Sequence, residues 1–341
     1  MDLSTTYLGL TLAHPFMAGA SPLADHLDTA RRLEDGGASA LVLHSLFEEQ
    51  LTLAARGEIH HRDPLDVQFT SALAAFPPPD AYALSPEGYL EHLRRVREAV
   101  HIPVMASLNG TTSEAWMRFA AELQDAGAHA LEVNIYDIVS DPHRSALSIE
   151  TDLRNLVLEL KRALRIPVAL KLSPYFTALG NVARRLDDAG VDGLVLFNRF
   201  YQPDINLDTL TIEPRLELST EAELRLRLQW AALLRGRIHA SIGLTGGVML
   251  PADGIKAVLA GCDAVQLVSA ILRNGPGHFR VMRDGLAAFL QEHHAPSVSA
   301  IKGRVSFAAT EDPAAFQRAT YIRTLQSWSL EHERARVTPA A

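Results

Sequence analysis

Apolar residues occur along this chain in short blocks, each placed after a segment with helical spacing. One pattern recurs: a helix end, a glycine, a short turn and then an apolar run. It is found as LEDGGASALVLHS (33–45), LQDAGAHALEVNI (123–135), LDDAGVDGLVLFN (186–198) and VLAGCDAVQLVSA (258–270). Glycine supplies the left-handed cap that ends a helix. A continuous apolar run indicates a strand buried on both faces, as in a parallel sheet.

The whole pattern predicts strands that alternate with helices. The predicted strands are 16–20, 40–45, 104–109, 130–135, 168–172, 193–198, 238–243 and 264–268. The predicted helices are 25–34, 86–100, 113–126, 149–164, 181–189, 220–234 and 253–260. This alternation favours an α/β fold of the (β/α)8 TIM barrel type. A doubly wound sheet is the alternative, but no GxGxxG follows the first strand to support it.

Three connections, 46–85, 136–148 and 199–219, exceed the length of an ordinary barrel loop. All three follow the carboxyl ends of predicted strands, where barrel enzymes build their sites. We therefore expect one barrel domain over residues 1–295, with insertions at its C-terminal face. A helical extension over residues 296–341, with a helix near 313–329, is expected to pack on it.

Composition narrows the functional class. The chain has 341 residues, of which 48% are hydrophobic and 21% charged, and a formal net charge of -8. An acidic chain is a poor partner for nucleic acid, which needs a basic face. Cys262 is the single cysteine, so an internal disulfide and a cysteine-held iron–sulfur cluster are excluded. With no signal peptide and no apolar run of membrane-spanning length, we expect a cytoplasmic protein without membrane contact or bound metal.

Polar side chains collect at the ends of the predicted strands. They are Ser21, His44, Ser45, Asn109, Asn134, Lys171 and Asn198. One asparagine there could simply cap its own backbone, but three asparagines and a lysine favour a binding site. Lys171 lies inside an apolar strand, which is costly unless its ammonium meets a charge. We expect it to point into the barrel mouth, the alternative being a solvated lysine at a strand end.

The last two predicted strands end in small residues. Gly246-Gly247 follows the seventh strand and Ser269-Ala270 follows the eighth. Such turns leave backbone N–H groups free to bind one anion, and the loops after strands seven and eight of a barrel commonly hold phosphate. The sequence therefore predicts a phosphate-bearing ligand.

These motifs together resemble the flavin-dependent dihydroorotate dehydrogenase family, in its short soluble form. The related flavin domain of dihydropyrimidine dehydrogenase is also similar. The resemblance spans about residues 5–290 and rests on PFMAGAS (15–21), EVN (132–134), PVALKL (167–172) and the two small-residue turns. Each motif is weak by itself, but their order and barrel spacing are specific.

The resemblance implies a (β/α)8 barrel that holds FMN at its C-terminal face. The implied cofactor ligands are Ala20, Ser21, Ser45, Asn109, Asn134, Lys171, Gly246, Gly247, Ser269 and Ala270. Lys171 would lie near the flavin N1–C2=O end and favour the anionic reduced form. Asn134 and Asn198 would also face the substrate. In the implied reaction, a base removes a proton next to a carbonyl and hydride passes from the neighbouring carbon to flavin N5.

The chain departs from the family pattern around the expected substrate. His44 replaces the usual lysine of strand two, and Asp137 stands where the family base is a cysteine or serine. Val139 replaces a substrate-binding asparagine, and no such asparagine is evident at residues 69–73. Arg199 replaces a serine or threonine and could clamp an anion.

The candidate catalytic residues are thus Asp137, Lys171 and His44, and the candidate substrate-binding residues Asn134, Asn198 and Arg199. Each has a structural alternative: Asp137 could begin a turn, Arg199 could lie on the surface, and His44 could be a satisfied buried histidine.

We therefore expect an FMN-dependent oxidoreductase that acts on dihydroorotate or a related cyclic amide. A flavin barrel with another substrate, such as an enone, is one alternative, and a non-catalytic regulatory or assembly subunit is another. An RNA-modifying flavin barrel is disfavoured by the acidic charge. Fumarate, a partner flavoprotein and oxygen are all open as electron acceptors. We also expect a homodimer, since barrels of this family usually dimerise.

Overall fold

The fold is taken from a computed structural model, which describes residues 1–48, 50–51, 84–110, 114–199, 201, 203–213, 216–309 and 312–327. Its strands are β1 Thr5–Tyr7, β2 Leu10–Leu12, β3 Phe16–Ala18, β4 Leu41–Val42, β5 Leu46–Phe47, β6 Val104–Asn109, β7 Ala130–Asn134, β8 Val168–Leu172, β9 Gly193–Leu196, β10 Asp204–Asn206, β11 Thr211–Glu213, β12 Ser241–Thr245 and β13 Ala264–Leu267. Its α-helices are α1 Leu27–Asp35, α2 Pro86–Ala99, α3 Glu114–Asp125, α4 Ala146–Ala163, α5 Leu179–Asp188, α6 Leu224–Leu234, α7 Pro251–Ala260, α8 Ser269–Asn274, α9 His278–Glu292, α10 Val298–Ile301 and α11 Pro313–Gln326. The predicted feature at 69–73 lies outside the described residues.

Parallel strands close into a barrel, as the alternating pattern predicts. The order around it is β3, β4, β6, β7, β8, β9, β12 and β13, with β13 paired to β3. The ring closes where Val265 pairs with Phe16 and where Leu41 pairs with Val104. The (β/α)8 prediction is confirmed, and the doubly wound alternative is wrong because an open sheet would leave two unpaired edges.

The second strand of the barrel is interrupted, which places two site residues at the mouth. The predicted strand 40–45 is divided into β4, which pairs with β6 at Val42–Met105, and β5, which pairs with β6 at Leu46–Leu108. His44 and Ser45 lie in the gap between the two ladders. Their side chains are therefore presented from irregular backbone beside the C-terminal end of β6.

The seventh strand begins later than the pattern predicts. The prediction was 238–243, whereas β12 spans Ser241–Thr245. The Asp187 carboxylate accepts the backbone N–H groups of His239 at 3.0 Å and Ala240 at 2.8 Å. These two donors are therefore not available to the sheet, and β12 begins only at Ser241 and ends at Thr245.

An N-terminal hairpin, which the pattern did not reveal, covers the opposite end of the barrel. β1 and β2 pair antiparallel, and Tyr7, Leu8 and Leu12 pack into the barrel interior against Met17. A Cβ at position 243 would lie 2.9 Å from the Tyr7 hydroxyl. Glycine at this point in β12 therefore admits the tyrosine, and the barrel floor is filled by side chains.

Residues after 295 are bonded to the barrel at several points. Asp2 and Ser297 pair as an isolated parallel β-bridge. The Gly303 N–H donates to the Val258 carbonyl at 3.0 Å. Lys302 Nζ lies 2.6 Å from an Asp263 carboxylate oxygen. The helix predicted at 313–329 spans Pro313–Gln326. Within the described ranges, no helix is both long enough and apolar enough to cross a membrane.

Candidate active site at the mouth of the barrel

A cavity of about 430 Å³ opens at the C-terminal mouth. Its volume falls in the ordinary range for small-molecule sites. The predicted site residues that line it are Ala20, Ser21, His44, Ser45, Asn109, Asn134, Lys171, Asn198, Arg199, Gly246, Gly247 and Ser269. Residues far apart in sequence thus converge because each follows a strand of one closed barrel. Two predicted residues, Ala270 and Asp137, are not among the residues that line it.

Lys171 meets a buried charge, as expected for a lysine in an apolar strand. Its Nζ lies 3.3 Å from Glu132 Oε1, and the two side chains are 9% and 1% exposed. Gln266 Nε2 donates to the other carboxylate oxygen of Glu132. Gln266 Oε1 is buried without a hydrogen-bond partner in the described part of the chain. The lysine is therefore held at the mouth by a carboxylate that is itself held by an amide.

Sequence reasoning missed Gln266, which does not line the cavity but hydrogen-bonds the carboxylate that pairs with Lys171. It is a polar side chain inside the apolar strand β13, which is the same signal that singled out Lys171. The pattern could therefore have found it.

Two asparagines from neighbouring strands contact each other. Asn198 Nδ2 donates to Asn134 Oδ1 and lies 3.4 Å from the Ile135 carbonyl oxygen. Both residues are buried. These contacts leave the amide nitrogen of Asn134 as a donor and the amide oxygen of Asn198 as an acceptor. An adjacent donor and acceptor suit the edge of a ring amide or imide.

His44 is paired with a carboxylate that the sequence analysis did not single out. Its Nδ1 lies 3.1 Å and 3.2 Å from the two oxygens of Asp25, whose side chain is 11% exposed. Asp25 ends a short 3-10 turn after β3, and His92 Nε2 contacts the Ala24 carbonyl at 2.6 Å beside it. Asp25 has no distinctive spacing in the sequence, so its pairing depends on the tertiary fold.

Ser45 is tied to the barrel wall beneath it. Its hydroxyl lies 2.7 Å from the Ser107 hydroxyl. The Ser107 backbone N–H donates to the Tyr89 hydroxyl at 3.0 Å, and that hydroxyl donates to the Ser107 carbonyl. Burial raises the pKa of Tyr89, so this phenol stays protonated. The network fixes the rim of the mouth beside His44.

The glycine turn after β12 is closely packed. Gly246 and Gly247 have φ values of +91° and +78°, which side chains rarely adopt. A Cβ at 246 would lie 2.9 Å from the Arg227 guanidinium, and one at 247 would lie 2.6 Å from the Leu224 nitrogen. Arg227 is buried and donates to the carbonyl oxygens of Thr245 and Glu223. The turn is therefore shaped by an arginine beneath it.

Ser269 joins the last strand to the connection after β9. The Ser219 N–H and hydroxyl donate to Ser269 Oγ at 3.0 Å and 2.8 Å. Ala270, the neighbouring predicted phosphate ligand, is fully buried in the first turn of α8. Ser269 thus faces the cavity while Ala270 lies behind it.

Arg199 lines the cavity wall and has partners there. Its guanidinium carbon lies 5.1 Å from the Tyr201 ring centre, and Nη2 lies 3.6 Å from Glu223 Oε1. It is therefore a held cation at the edge of the mouth.

Asp137 lies in a different place from the other candidates. It lines a separate groove of about 890 Å³ together with Val139 and Arg144. Arg144 Nη1 lies 3.2 Å from Asp137 Oδ2, and the same guanidinium contacts Asp152 at 3.5 Å. This groove is larger than the mouth cavity. The chemistry-bearing side chains nevertheless converge on the smaller one.

The sequence profile of dihydroorotate dehydrogenase matches residues 85–290, which is more than half of the chain. The chain belongs to the dihydroorotate dehydrogenase family. Enzymes of this family are oxidoreductases, so the predicted resemblance and the predicted class of enzyme are confirmed.

Curated relatives support the family assignment over almost the whole chain. A "Dihydroorotate dehydrogenase B (NAD(+)), catalytic subunit" of Thermoplasma volcanium is 26% identical over 319 residues, covering 89% of this chain and 98% of the relative. A protein of the same name from Methanothermobacter thermautotrophicus is 28% identical over 315 residues, covering 88% and 97%. A "Dihydroorotate dehydrogenase A (fumarate)" of Lactobacillus delbrueckii subsp. bulgaricus is 26% identical over 229 residues, covering 64% and 72%. These names differ in the electron acceptor.

Proposed function

We propose that this chain is an FMN-dependent oxidoreductase that oxidises dihydroorotate or a related cyclic amide. The observation that carries the proposal is the mouth cavity, where Lys171, Asn134 and the Gly246-Gly247 turn face one space. Membership of the dihydroorotate dehydrogenase family gives the reaction class. The chemistry of this donor set supports FMN as the cofactor.

The residues present fit a flavin mononucleotide. The glycine turn and Ser269 form a cradle of backbone and hydroxyl groups that suits a phosphate. Lys171 can stabilise negative charge on a reduced ring, as cations do at sites of developing charge. Ala20, Ser21, Ser45, Asn109 and Asn134 line other parts of the cavity and belong to the proposed cofactor set. Ala270 is fully buried behind Ser269, so we propose that it contributes only its backbone N–H, from the first turn of α8. When bound, FMN supplies the two-electron acceptor, and the protein supplies placement and charge.

The two asparagines support a cyclic amide as substrate. The donor of Asn134 and the acceptor of Asn198 can hydrogen-bond the amide edge of a ring, and a site built this way rejects ligands that leave buried polar groups unpaired. Arg199 is proposed to bind an anionic substituent at the rim. Proton removal next to a carbonyl needs a base, for which Asp137 and His44 are the candidates.

A second candidate function keeps the flavin and changes the substrate. The observation that favours it is the Asp25–His44 pair, which stands where the family has a lysine. A differently placed charge would select a different ring substituent, so another cyclic amide or an enone is the second candidate.

The names of the relatives suggest how electrons leave the site. Two of them are catalytic subunits, a term that implies a further subunit. We propose an electron-transfer partner for this chain, together with a homodimeric arrangement and a cytoplasmic location. No nucleic-acid, membrane or metal partner is proposed.

The proposal is tested by isolating the protein, identifying any released cofactor chromatographically and assaying turnover with a redox dye. FMN in near-stoichiometric amount and dye reduction that depends on dihydroorotate are expected. FMN without dye reduction by any cyclic amide or enone would contradict the enzymatic part of the proposal and favour a non-catalytic flavin subunit. A colourless protein that takes up no added FMN would contradict both parts.

A further inference from the structure

We infer that His44, oriented by Asp25, is the acid–base group of the mouth cavity. This inference rests on the proposed function and adds to it a specific proton acceptor. His44 is then the residue that touches the substrate, whereas Asp25 positions it.

The composition of the cavity wall is the first support. Among the described residues that line the mouth, none is an aspartate or glutamate, and His44 is the one histidine. The other ionisable groups there are Lys171, which is paired with Glu132, Arg199, which is paired with Glu223, and two tyrosines. Imidazole is the side chain that exchanges protons most readily near neutral pH. Within the described wall, His44 is therefore the group suited to accept a proton from carbon.

The geometry of the Asp25–His44 pair is the second support. Nδ1 of His44 lies within hydrogen-bond distance of both Asp25 oxygens, so the Nδ1 proton is held by the carboxylate. The other ring nitrogen, Nε2, then carries a lone pair. A carboxylate that fixes the tautomer of a histidine in this way prepares Nε2 to act as a base.

The position of the pair is the third support. Asp25 is nearly buried, whereas the His44 side chain is 37% exposed and lines the cavity. The carboxylate is thus shielded and the imidazole is accessible, which is the arrangement an orienting group and a base require. By contrast, Asp137 is held by Arg144 in the separate groove.

Removal of the substrate proton needs no reactant beyond the substrate and His44. The C–H bond next to the substrate carbonyl breaks, its proton passes to His44 Nε2, and the resulting imidazolium is stabilised by the Asp25 carboxylate. FMN, when bound, would supply the two-electron acceptor for the hydride of the neighbouring carbon, so the substrate would gain a C=C bond and lose two electrons. His44 later returns its proton to solvent.

Two substitutions test the inference in the full-length, FMN-loaded protein. For His44→Gly, the rate of flavin reduction by dihydroorotate is expected to fall by about 10²-fold or more, the usual contribution of a general base. Added imidazole should restore part of that rate. For Asp25→Leu, we expect a loss of similar order, because the imidazole loses both the acceptor of its Nδ1 proton and the charge that stabilises the imidazolium. Flavin content checks that each variant is folded.

A matched control is available in the same chain. His239 Nδ1 lies 3.1 Å from Asp187 in another histidine–carboxylate pair, at the start of β12 and away from the mouth. The His239 side chain is fully exposed. His239→Gly should leave flavin reduction unchanged, and added imidazole should not affect it. The control separates a catalytic histidine from the general effect of losing such a pair.

A second readout does not depend on turnover. Nitrogen-15 NMR of histidine-labelled protein, with the His44 signal assigned from its absence in His44→Gly, reports which ring nitrogen carries the proton. We expect protonated Nδ1 and bare Nε2 in the native protein, and a larger share of the tautomer protonated at Nε2 in Asp25→Leu, which offers no acceptor for the Nδ1 proton. A His44 already protonated at Nε2 with Nδ1 bare, or a tautomer population unaffected by Asp25→Leu, would overturn the inference.

The two proposals fail in different ways. If the native protein is not reduced by dihydroorotate, the proposed substrate is wrong, while the NMR result still decides the role of Asp25. If reduction persists in His44→Gly and is lost in Asp137→Asn, the proposed function stands and the inference about His44 is wrong.

Discussion

Replacing Gly246 with alanine is expected to destabilise the protein and weaken FMN binding together. The residue has a φ of +91°, and a Cβ there would lie 2.9 Å from two nitrogens of the Arg227 guanidinium. Arg227 cannot easily move, because it is 6% exposed and its nitrogens donate to two backbone carbonyls. The methyl group must therefore displace the arginine or the turn.

The size of the effect follows from two contributions. A side chain in the left-handed region costs about 1–2 kcal/mol. Pulling Arg227 from a buried carbonyl leaves polar groups unsatisfied, at about 1–3 kcal/mol. Gly246→Ala is thus expected to lower the free energy of unfolding by about 2–5 kcal/mol.

Gly190 provides the control for this substitution. It has the same φ of +91°, but nothing lies within 4 Å of a Cβ built there. Gly190→Ala should cost the conformational contribution alone, about 1–2 kcal/mol, and should leave FMN binding unchanged. Urea unfolding gives the two free energies, and quenching of added flavin fluorescence gives the two affinities. Equal losses of stability in the two variants, or full FMN affinity in Gly246→Ala, would refute the role assigned to the turn.

Two further predictions concern buried ionisable groups. Lys171→Ala should reduce the rate of flavin reduction and lower stability by about 3–5 kcal/mol, because it leaves the Glu132 carboxylate buried without its cation. Adding Glu132→Gln to this variant should recover much of the stability but not the rate of flavin reduction. Unchanged flavin content and an unchanged reduction rate in Lys171→Ala would contradict a role for the lysine in the site. Burial lowers the pKa of His14 from 6.5 to about 4, so the native state excludes a proton that the unfolded chain binds. The free energy of unfolding should therefore fall by about 3 kcal/mol as the pH drops from about 6.5 to 4. Urea unfolding at several pH values measures this fall, which should be smaller in His14→Gln.

The barrel could be predicted because its strands and helices are marked locally. Glycine-terminated helices followed by apolar runs indicated successive βα units, and the number of strands and helices favoured a barrel, whereas closure is visible only in the strand pairing. The hairpin β1–β2 escaped prediction because its three-residue strands carry too short an alternation to be distinguished from a loop. The position of β12 was mistaken because Asp187, distant in sequence, captures the N–H groups of His239 and Ala240.

The candidate site was predictable where a residue differs in polarity or size from the sequence around it. Lys171 is a charge in an apolar strand, and Gly246-Gly247 is a turn between apolar runs, so both could be recognised. Asp25 is an ordinary polar residue in a loop, so its sequence neighbours do not single it out. Its pairing with His44 arises only in the folded barrel. Asp137 illustrates the converse, since its sequence position aligns it with a family base while the fold pairs it with Arg144 outside the mouth.

The most direct test of the central claim is an anaerobic titration of the FMN-loaded protein with dihydroorotate, followed by its visible spectrum. The flavin absorbance at about 450 nm is expected to bleach as dihydroorotate is added, since the mouth cavity would hold both cofactor and substrate. A flavin band that persists at saturating dihydroorotate, in protein that dithionite can still reduce, would show that dihydroorotate is not the substrate.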